Sequence, residues 1–325
     1  MTFPLVQRPG AVAFLDDDGQ YLEVLGAVMP SHWHVELFSR PQPFIEQLQG
    51  EVSIWEADAL KQQDIVTHWR EGRPILKQIL EYWHTDALRY SLTRVCLVDY
   101  AMPGKNGLQV LGDVTQWPGL RVLLTGQADE RLGVSAFNDG LINQFIPKQL
   151  ADITRRIAGT ITDLLARPPG RLEDIWRSTL SPEQALLLAD ADVADGLRSL
   201  IGGRWVEYIL IGQPFGVLGL REDGKIDWLK LETREGLADL ADLAQTQGID
   251  TDQVRQILTG TRLSDLEMRQ SAGLGGEAVL QPAVPVGADT ALLGAFFELD
   301  AGIHVPAGQS YRAWLSRHAQ RALRE

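Results

Sequence analysis

Short apolar runs at 11–15, 34–39, 95–98, 121–124 and 144–146 are each too brief for a helix, and they alternate with stretches of helical spacing. No other feature restricts the fold as tightly, because strands separated by helices pair in parallel, with helices covering both faces of the sheet. The chain opens strand, helix over 19–28, strand, and Pro30 closes that helix. A parallel sheet also brings the carboxyl ends of its strands to one edge, where residues far apart in sequence converge.

What stands at those ends is chemically pointed. Asp16-Asp17-Asp18 follows the first run, Asp99 the third, Thr125-Gly126 the fourth, and Lys148 the fifth. Carboxylates held within a few ångströms of one another repel unless a cation joins them. Mg²⁺ suits such a group, since it binds a few carboxylate oxygens, keeps waters and accepts a phosphate oxygen. An ionised Asp99 attacks phosphorus once metal and ammonium neutralise the phosphate oxygens; Lys148 offers the ammonium and Thr125 a hydroxyl donor. Taken singly, each part has a plainer explanation: Asp18 as a helix cap, Lys148 as a surface lysine, Asp99 as part of the turn at Pro103-Gly104. The argument lies in their conjunction at successive strand ends.

Phe14-Leu15-Asp16-Asp17-Asp18, Val98-Asp99-Tyr100-Ala101-Met102-Pro103-Gly104, Leu124-Thr125-Gly126 and Phe145-Ile146-Pro147-Lys148 resemble the receiver domains of bacterial two-component response regulators over about residues 10–165. The Asn106-Gly107 spacing fits too. The resemblance implies a flavodoxin-like domain of five parallel strands over 1–167, with Asp99 as phosphoacceptor. It further implies Mg²⁺ held by Asp16, Asp17, Asp99 and the backbone carbonyl of Ala101, a phosphoryl group met by Thr125, Gly126 and Lys148, and Phe145 as switch aromatic. It implies a histidine kinase or phosphotransfer protein as donor, a homodimer in the phosphorylated state, and self-phosphorylation and self-dephosphorylation as the receiver's chemistry. Two departures stand out. Pro147 precedes Lys148 and Gln149 follows it, where the family usually has proline after the lysine, and an insert of about 41–93 separates the second and third strands.

That insert reads as two or three helices broken at Pro74, with an apolar stripe at Ile65, Trp69, Ile75, Leu76, Ile79, Leu80 and Trp83. The stripe serves either as a dimer or partner surface or as packing onto the chain itself. After a helix over 149–165, Arg167-Pro168-Pro169-Gly170 marks a hinge and a domain boundary. Residues 171–325 read as a separate α+β domain: helices at 172–178 and 182–189, strands at 208–211, 216–220 and 226–231 with an Asp223-Gly224 hairpin turn, helices at 236–247 and 251–258, a strand at 291–297 and an amphipathic helix over 309–323.

The job of this second half is less legible. Its 16 Lys+Arg stand against 23 Asp+Glu, counted over residues 166–325, in a chain of net charge −13. The one basic patch, Arg312, Arg317, Arg321 and Arg324, falls on the closing helix with Tyr311, Trp314 and Leu315, the pattern of a docked surface helix, so nucleic-acid binding is not expected. Asp190, Asp192 and Asp195 form an acidic cluster that reads either as a cation site or as a solvated helix end. Gly212–Gly219 lacks the lysine and serine or threonine of a phosphate loop, Gly275-Gly276-Glu277-Ala278 lacks the rest of a cyclase signature, and His304 and His318 have no metal-ligand partner at useful spacing. A phosphorylation-controlled protein- or ligand-binding output is the favoured expectation, with an unrecognised enzyme, and behind it a DNA-binding output, as alternatives. One cysteine, Cys96, the absence of a long apolar stretch and the absence of a signal-peptide pattern at 1–8 point to a cytoplasmic protein with no membrane partner, and the resemblance implies a bacterial one.

Overall fold

A computed structural model describes residues 2–126, 130–288, 291–299, 305–318 and 323–324. In chain order the elements of the first half are β1 (Val6–Gln7), β2 (Ala11–Leu15), α1 (Gly19–Val28), β3 (His34–Phe38), α2 (Pro41–Arg70), α3 (Ile75–Thr85), β4 (Thr93–Asp99), α4 (Gly107–Asp113), β5 (Leu120–Thr125), α5 (Glu130–Asn138), β6 (Gln144–Pro147) and α6 (Ile153–Leu165). Then follow α7 (Leu172–Arg177), α8 (Pro182–Ala189), α9 (Ala191–Ile201), β7 (Glu207–Gly212), β8 (Phe215–Leu220), β9 (Ile226–Thr233), α10 (Leu237–Thr246) and α11 (Thr251–Leu258). Last come β10 (Arg262–Ser264), α12 (Leu266–Ala272), β11 (Leu280–Pro282), β12 (Val284–Pro285), β13 (Leu292–Glu298), α13 (Tyr311–His318) and β14 (Leu323–Arg324).

The chain divides into two compact units, and each is built from several segments. One comprises Pro9–Leu60, Ala87–Gly170 and Arg312–Glu325. Its sheet has the order β14-β3-β2-β4-β5-β6, every neighbouring pair parallel. The continuous apolar runs follow from burial on both faces. Val12 and Phe14 join Leu22, Leu25, Val95 and Ile157 in one core, while Ala13 and Leu15 join Phe44, Val98, Val110 and Trp117 in the other.

This sheet has six strands, where five were expected. Of the expected helix over 309–323 the described part is Tyr311–His318, and Leu323 and Arg324 lie in a strand parallel to Leu37 and Phe38. The reason is the open edge of β3, whose unpaired backbone groups accept another strand. Ser39 N–H donates to the Arg324 carbonyl at 3.2 Å, and the Arg324 guanidinium donates to the buried Glu36 at 2.7 Å. Arg324 therefore does not share a helix face with Arg317, and Arg321 lies outside the described residues, as does His304.

The other unit comprises Met1–Arg8, Lys61–Asp86 and Arg171–Tyr311. Two contiguous domains meeting between 167 and 171 were expected, and the interleaving has three physical causes. Val6 of β1 pairs with Ile209 of β7, adding the chain's start to the second sheet. Gln62 accepts a 2.7 Å hydrogen bond from the buried Trp176 indole. The stripe of α3, with Ile75, Leu76, Ile79, Leu80 and Trp83 buried, packs against α12. The insert's apolar face is thus covered by its own chain. The second sheet is antiparallel, ordered β1-β7-β8-β9-β13-β12, beside a β10-β11 pair. The Asp223-Gly224 turn joins β8 to β9 as expected, with Gly224 at φ +93, a conformation that glycine adopts without strain.

Candidate functional site

The acids expected to converge do converge. One oxygen from each of Asp16, Asp17 and Asp99 lies within 4.8 Å of the others, with Asp16 and Asp99 buried and Asp17 exposed. Register explains the placement: Leu15 pairs with Val98 and Asp99 with Leu124, so β2, β4 and β5 end together. Asp16 Oδ1 accepts from Asp18 N–H at 3.0 Å, and Asp18 Oδ1 accepts from Gln20 and Tyr21 N–H at 3.0 Å, capping α1. Asp18 is thus a cap, and the aspartates before it point elsewhere.

Lys148 closes the group. Its Nζ donates to Asp16 Oδ2 and lies 2.8 Å from Asp99 Oδ1 as well. Its backbone N–H donates to the Thr125 carbonyl at 2.9 Å, and Thr125 pairs with Pro147, so this proline-before-lysine order still delivers the ammonium to the acids. Burial opposes charge on Lys148, but its bonds to Asp16 and Asp99 outweigh that and raise its pKa. Asp99 is raised too, chiefly by burial, with Lys148 pulling it down while Asp16 and Asp17 push it up. The partners of one ion pair therefore shift the same way, because at Asp99 burial, reinforced by the two neighbouring carboxylates, outweighs the cation.

Thr125 is fully buried, and its hydroxyl has no hydrogen-bond partner among the described residues. An orphaned buried hydroxyl costs about 1–3 kcal/mol, so its place beside the acids calls for a function. Gly126 is half-buried at the end of β5, where the described chain breaks before residue 130. Ala101 lies exposed on the loop after Asp99, and Phe145 is half-buried on β6 with its ring against α5 at Gly133.

At this edge Tyr21 escapes sequence reasoning, and Gly107, noted there only for its spacing, has a steric role. Tyr21 packs its ring 5.2 Å from Lys148 Nζ, its buried hydroxyl has no partner among the described residues, and burial raises its pKa. Gly107 opens α4 where a Cβ would sit 2.3 Å from the Asp99 carbonyl oxygen. The Asn106 capping box fixes that approach, so any larger residue would displace Asp99. The other sequence candidates have structural roles. Asp190 caps α9, Asp192 accepts from Ala288 N–H, and Asp195 pairs with Arg198, the helix-end reading of that cluster. Gly212 and Gly219 make room for the Thr179 carbonyl and the Trp205 ring. No helix among the described residues is long and apolar enough to cross a membrane.

This fold and this cluster of acids define a protein with a receiver-like α/β unit joined to an antiparallel-sheet unit. The structure of the response regulator LqsR from Legionella pneumophila matches with a TM-score of 0.71 and 25% identity, covering 97% of this chain and 97% of that one. By structure, the chain is similar to that response regulator over nearly the whole length of both chains. A receiver domain protein from Clostridium thermocellum gives a TM-score of 0.29 at 12% identity, covering 48% of this chain and 94% of that one. An adenylate cyclase from Rhodopirellula baltica gives 0.32 at 16%, covering 48% of this chain and 87% of that one. Scores this low add nothing to the comparison. No family model and no curated protein matches the sequence.

Proposed function

We propose that Asp99 accepts a phosphoryl group from a histidine kinase or phosphotransfer protein in a Mg²⁺-dependent reaction, and that this switches a binding output in the antiparallel unit. One observation carries the reading: the carboxylates of Asp16, Asp17 and Asp99 gather within 4.8 Å, with the Lys148 ammonium 2.8 Å from Asp16 and Asp99.

The donor set fits Mg²⁺. Hard carboxylate oxygens are grouped, and Asp17 opens the cluster to water. Bound there by Asp16, Asp17, Asp99 and the Ala101 carbonyl, the ion would neutralise phosphate oxygens. The remaining work belongs to the chain's own groups. An oxygen of Asp99 forms the bond to phosphorus as the bond to the donor's leaving atom breaks. Lys148 draws off charge from the transferred group, and the Thr125 hydroxyl gains its missing acceptor in a phosphate oxygen. That new bond pulls on the end of β5 and Gly126, with Phe145 on the neighbouring strand as the switch aromatic.

The working form is a bacterial cytoplasmic protein that dimerises when phosphorylated. The covered face of α3 does not serve as the dimer surface. Acetyl phosphate with Mg²⁺ is expected to add one phosphoryl group to the wild type and none to Asp99→Ala, read by intact mass. Equal labelling of both would remove Asp99 from the role.

A further inference from the structure

Lys230 is a buried charge that the receiver chemistry does not use. It sits in the middle of β9, in a central position of the antiparallel sheet, and is 2% exposed. Its ammonium is 2.9 Å from Glu232 and also bonds Glu267 of α12. Its cross-strand neighbours are Gly216 and Ala295, so no bulky side chain from the sheet covers it. Burial opposes its charge, yet the two glutamates hold its pKa above the ordinary lysine value, so it stays protonated. One cation then lies between two carboxylates, and one negative charge is left over.

An ionic group of this kind stabilises a core no better than apolar residues of the same volume. Its effect is to hold a carboxylate rigidly in place. Glu232 accepts from Thr233 N–H and is largely covered, whereas the Glu267 side chain is 38% exposed. Glu267 lines a cavity of about 480 Å³, within the range of small-molecule sites. Its only side-chain partner among the described residues is Lys230, through Oε2, so Oε1 is uncommitted. The cavity is also lined by the α2–α3 turn with Arg73, whose guanidinium has no partner among the described residues. Trp69, Ile75, Pro214 and Leu243 give it an apolar wall.

We infer that this cavity binds a small zwitterion of the α-amino-acid type. The ligand's ammonium bonds Glu267, its carboxylate bonds Arg73, and an apolar side chain lies along Trp69, Pro214 and Leu243. The anchored carboxylate argues for a cationic group, the Arg73 guanidinium in the same lining for an anionic one, and the apolar wall for a hydrocarbon body. The inference deepens the ligand-binding reading of the output and needs no phosphorylation.

The test uses the unphosphorylated full chain and tryptophan fluorescence, since Trp69 lines the cavity. The probes are L-phenylalanine, its carboxamide, which lacks the carboxylate, and 3-phenylpropionate, which lacks the ammonium. L-phenylalanine is expected to saturate, and each analogue to bind roughly tenfold more weakly, the effect of one lost charged hydrogen bond. Glu267→Gln should erase the advantage over 3-phenylpropionate, and Arg73→Gln the advantage over the carboxamide. Arg73 is exposed, so its replacement is expected to leave the fold intact and that variant remains informative if Glu267→Gln fails to fold. Absence of saturation by L-phenylalanine, or equal binding of all three probes, would overturn the inference. Either result leaves the labelling of Asp99 to stand or fall separately.

Discussion

Lys148→Ala is expected to slow phosphoryl uptake from acetyl phosphate by roughly a hundredfold or more, the scale seen when a positioned electrostatic stabiliser is removed. Its ammonium is 2.8 Å from both Asp16 and Asp99, and no other cation bonds either of these carboxylates among the described residues. The substitution also changes stability in a pH-dependent way. The pKa of Asp99 is already raised, mainly by burial. A carboxyl raised in the folded state binds its proton more tightly there than in the unfolded chain. Its ionisation therefore costs stability, and that cost appears as pH rises through the folded-state value. Without Lys148 the Asp99 pKa rises further. The variant should match the wild type in acid and fall behind it towards neutral pH by about 2 kcal/mol, a figure reduced because the ammonium is partly hydrated. Mg²⁺ should recover part of the loss, and EDTA should abolish the recovery. Thermal melts across pH, with and without metal, check this. A deficit that is the same in acid as at neutral pH, or uptake at the wild-type rate, would mean that Lys148 does not neutralise these acids.

The acid cluster was legible in the sequence because a parallel sheet converts order along the chain into position. Once the runs ending at Leu15, Val98, Leu124 and Ile146 are strands, their following residues meet at one edge. Side-chain direction was not legible. Asp18 follows as the cap from a helix expected to start at residue 19, but nothing in the run tells which way the carboxylates of Asp16 and Asp17 turn. Tyr21, and the steric role of Gly107 beyond its spacing, were missed for a similar reason. One reaches the site from the first turn of a helix, and the other matters through the space it leaves beside the Asp99 carbonyl.

Local periodicity found most of the long elements of both units, including β7, β8 and β9 of the antiparallel sheet, but not the 11-residue helix α9. It missed β1, β12 and β14, strands of two residues each, which exist only because a longer strand offers an open edge. Those edge pairings and the covered stripe of α3 are contacts between residues far apart in sequence. This is why the chain's start and the later part of the insert fold with the second sheet, and why Leu323 and Arg324 fold with the first.

In that second sheet, Asp227→Ala is expected to cost about 3 kcal/mol of stability. Asp227 is fully buried on β9 and accepts from Arg204 Nε at 2.9 Å, Trp205 Nε1 at 2.8 Å and Arg221 Nε at 2.8 Å, with a further bond from Arg221 Nη2 at 2.6 Å. Burial alone would raise this carboxyl, but the bonds from Arg221, Trp205 and Arg204 outweigh it and hold the pKa below the ordinary aspartate value. Alanine leaves two guanidinium groups without their shared counter-ion and strands a buried indole N–H. The arginines are partly exposed and regain water, which keeps the cost below that of a fully enclosed pair. Asp227→Asn, which keeps the shape and an acceptor oxygen, should lose less. The sign with pH is opposite to that of Asp99. A depressed folded-state pKa contributes stability that is complete above the ordinary aspartate range and is lost as pH falls through the folded value. The wild type should therefore weaken in acid, and the alanine variant should lack that part of the acid response. Urea titrations at neutral and acid pH, followed by hydrogen exchange at the β8 and β9 amides, measure both effects. A shift under about 1 kcal/mol at neutral pH, where a buried pair should matter most, would show that Arg204, Trp205 and Arg221 find other partners.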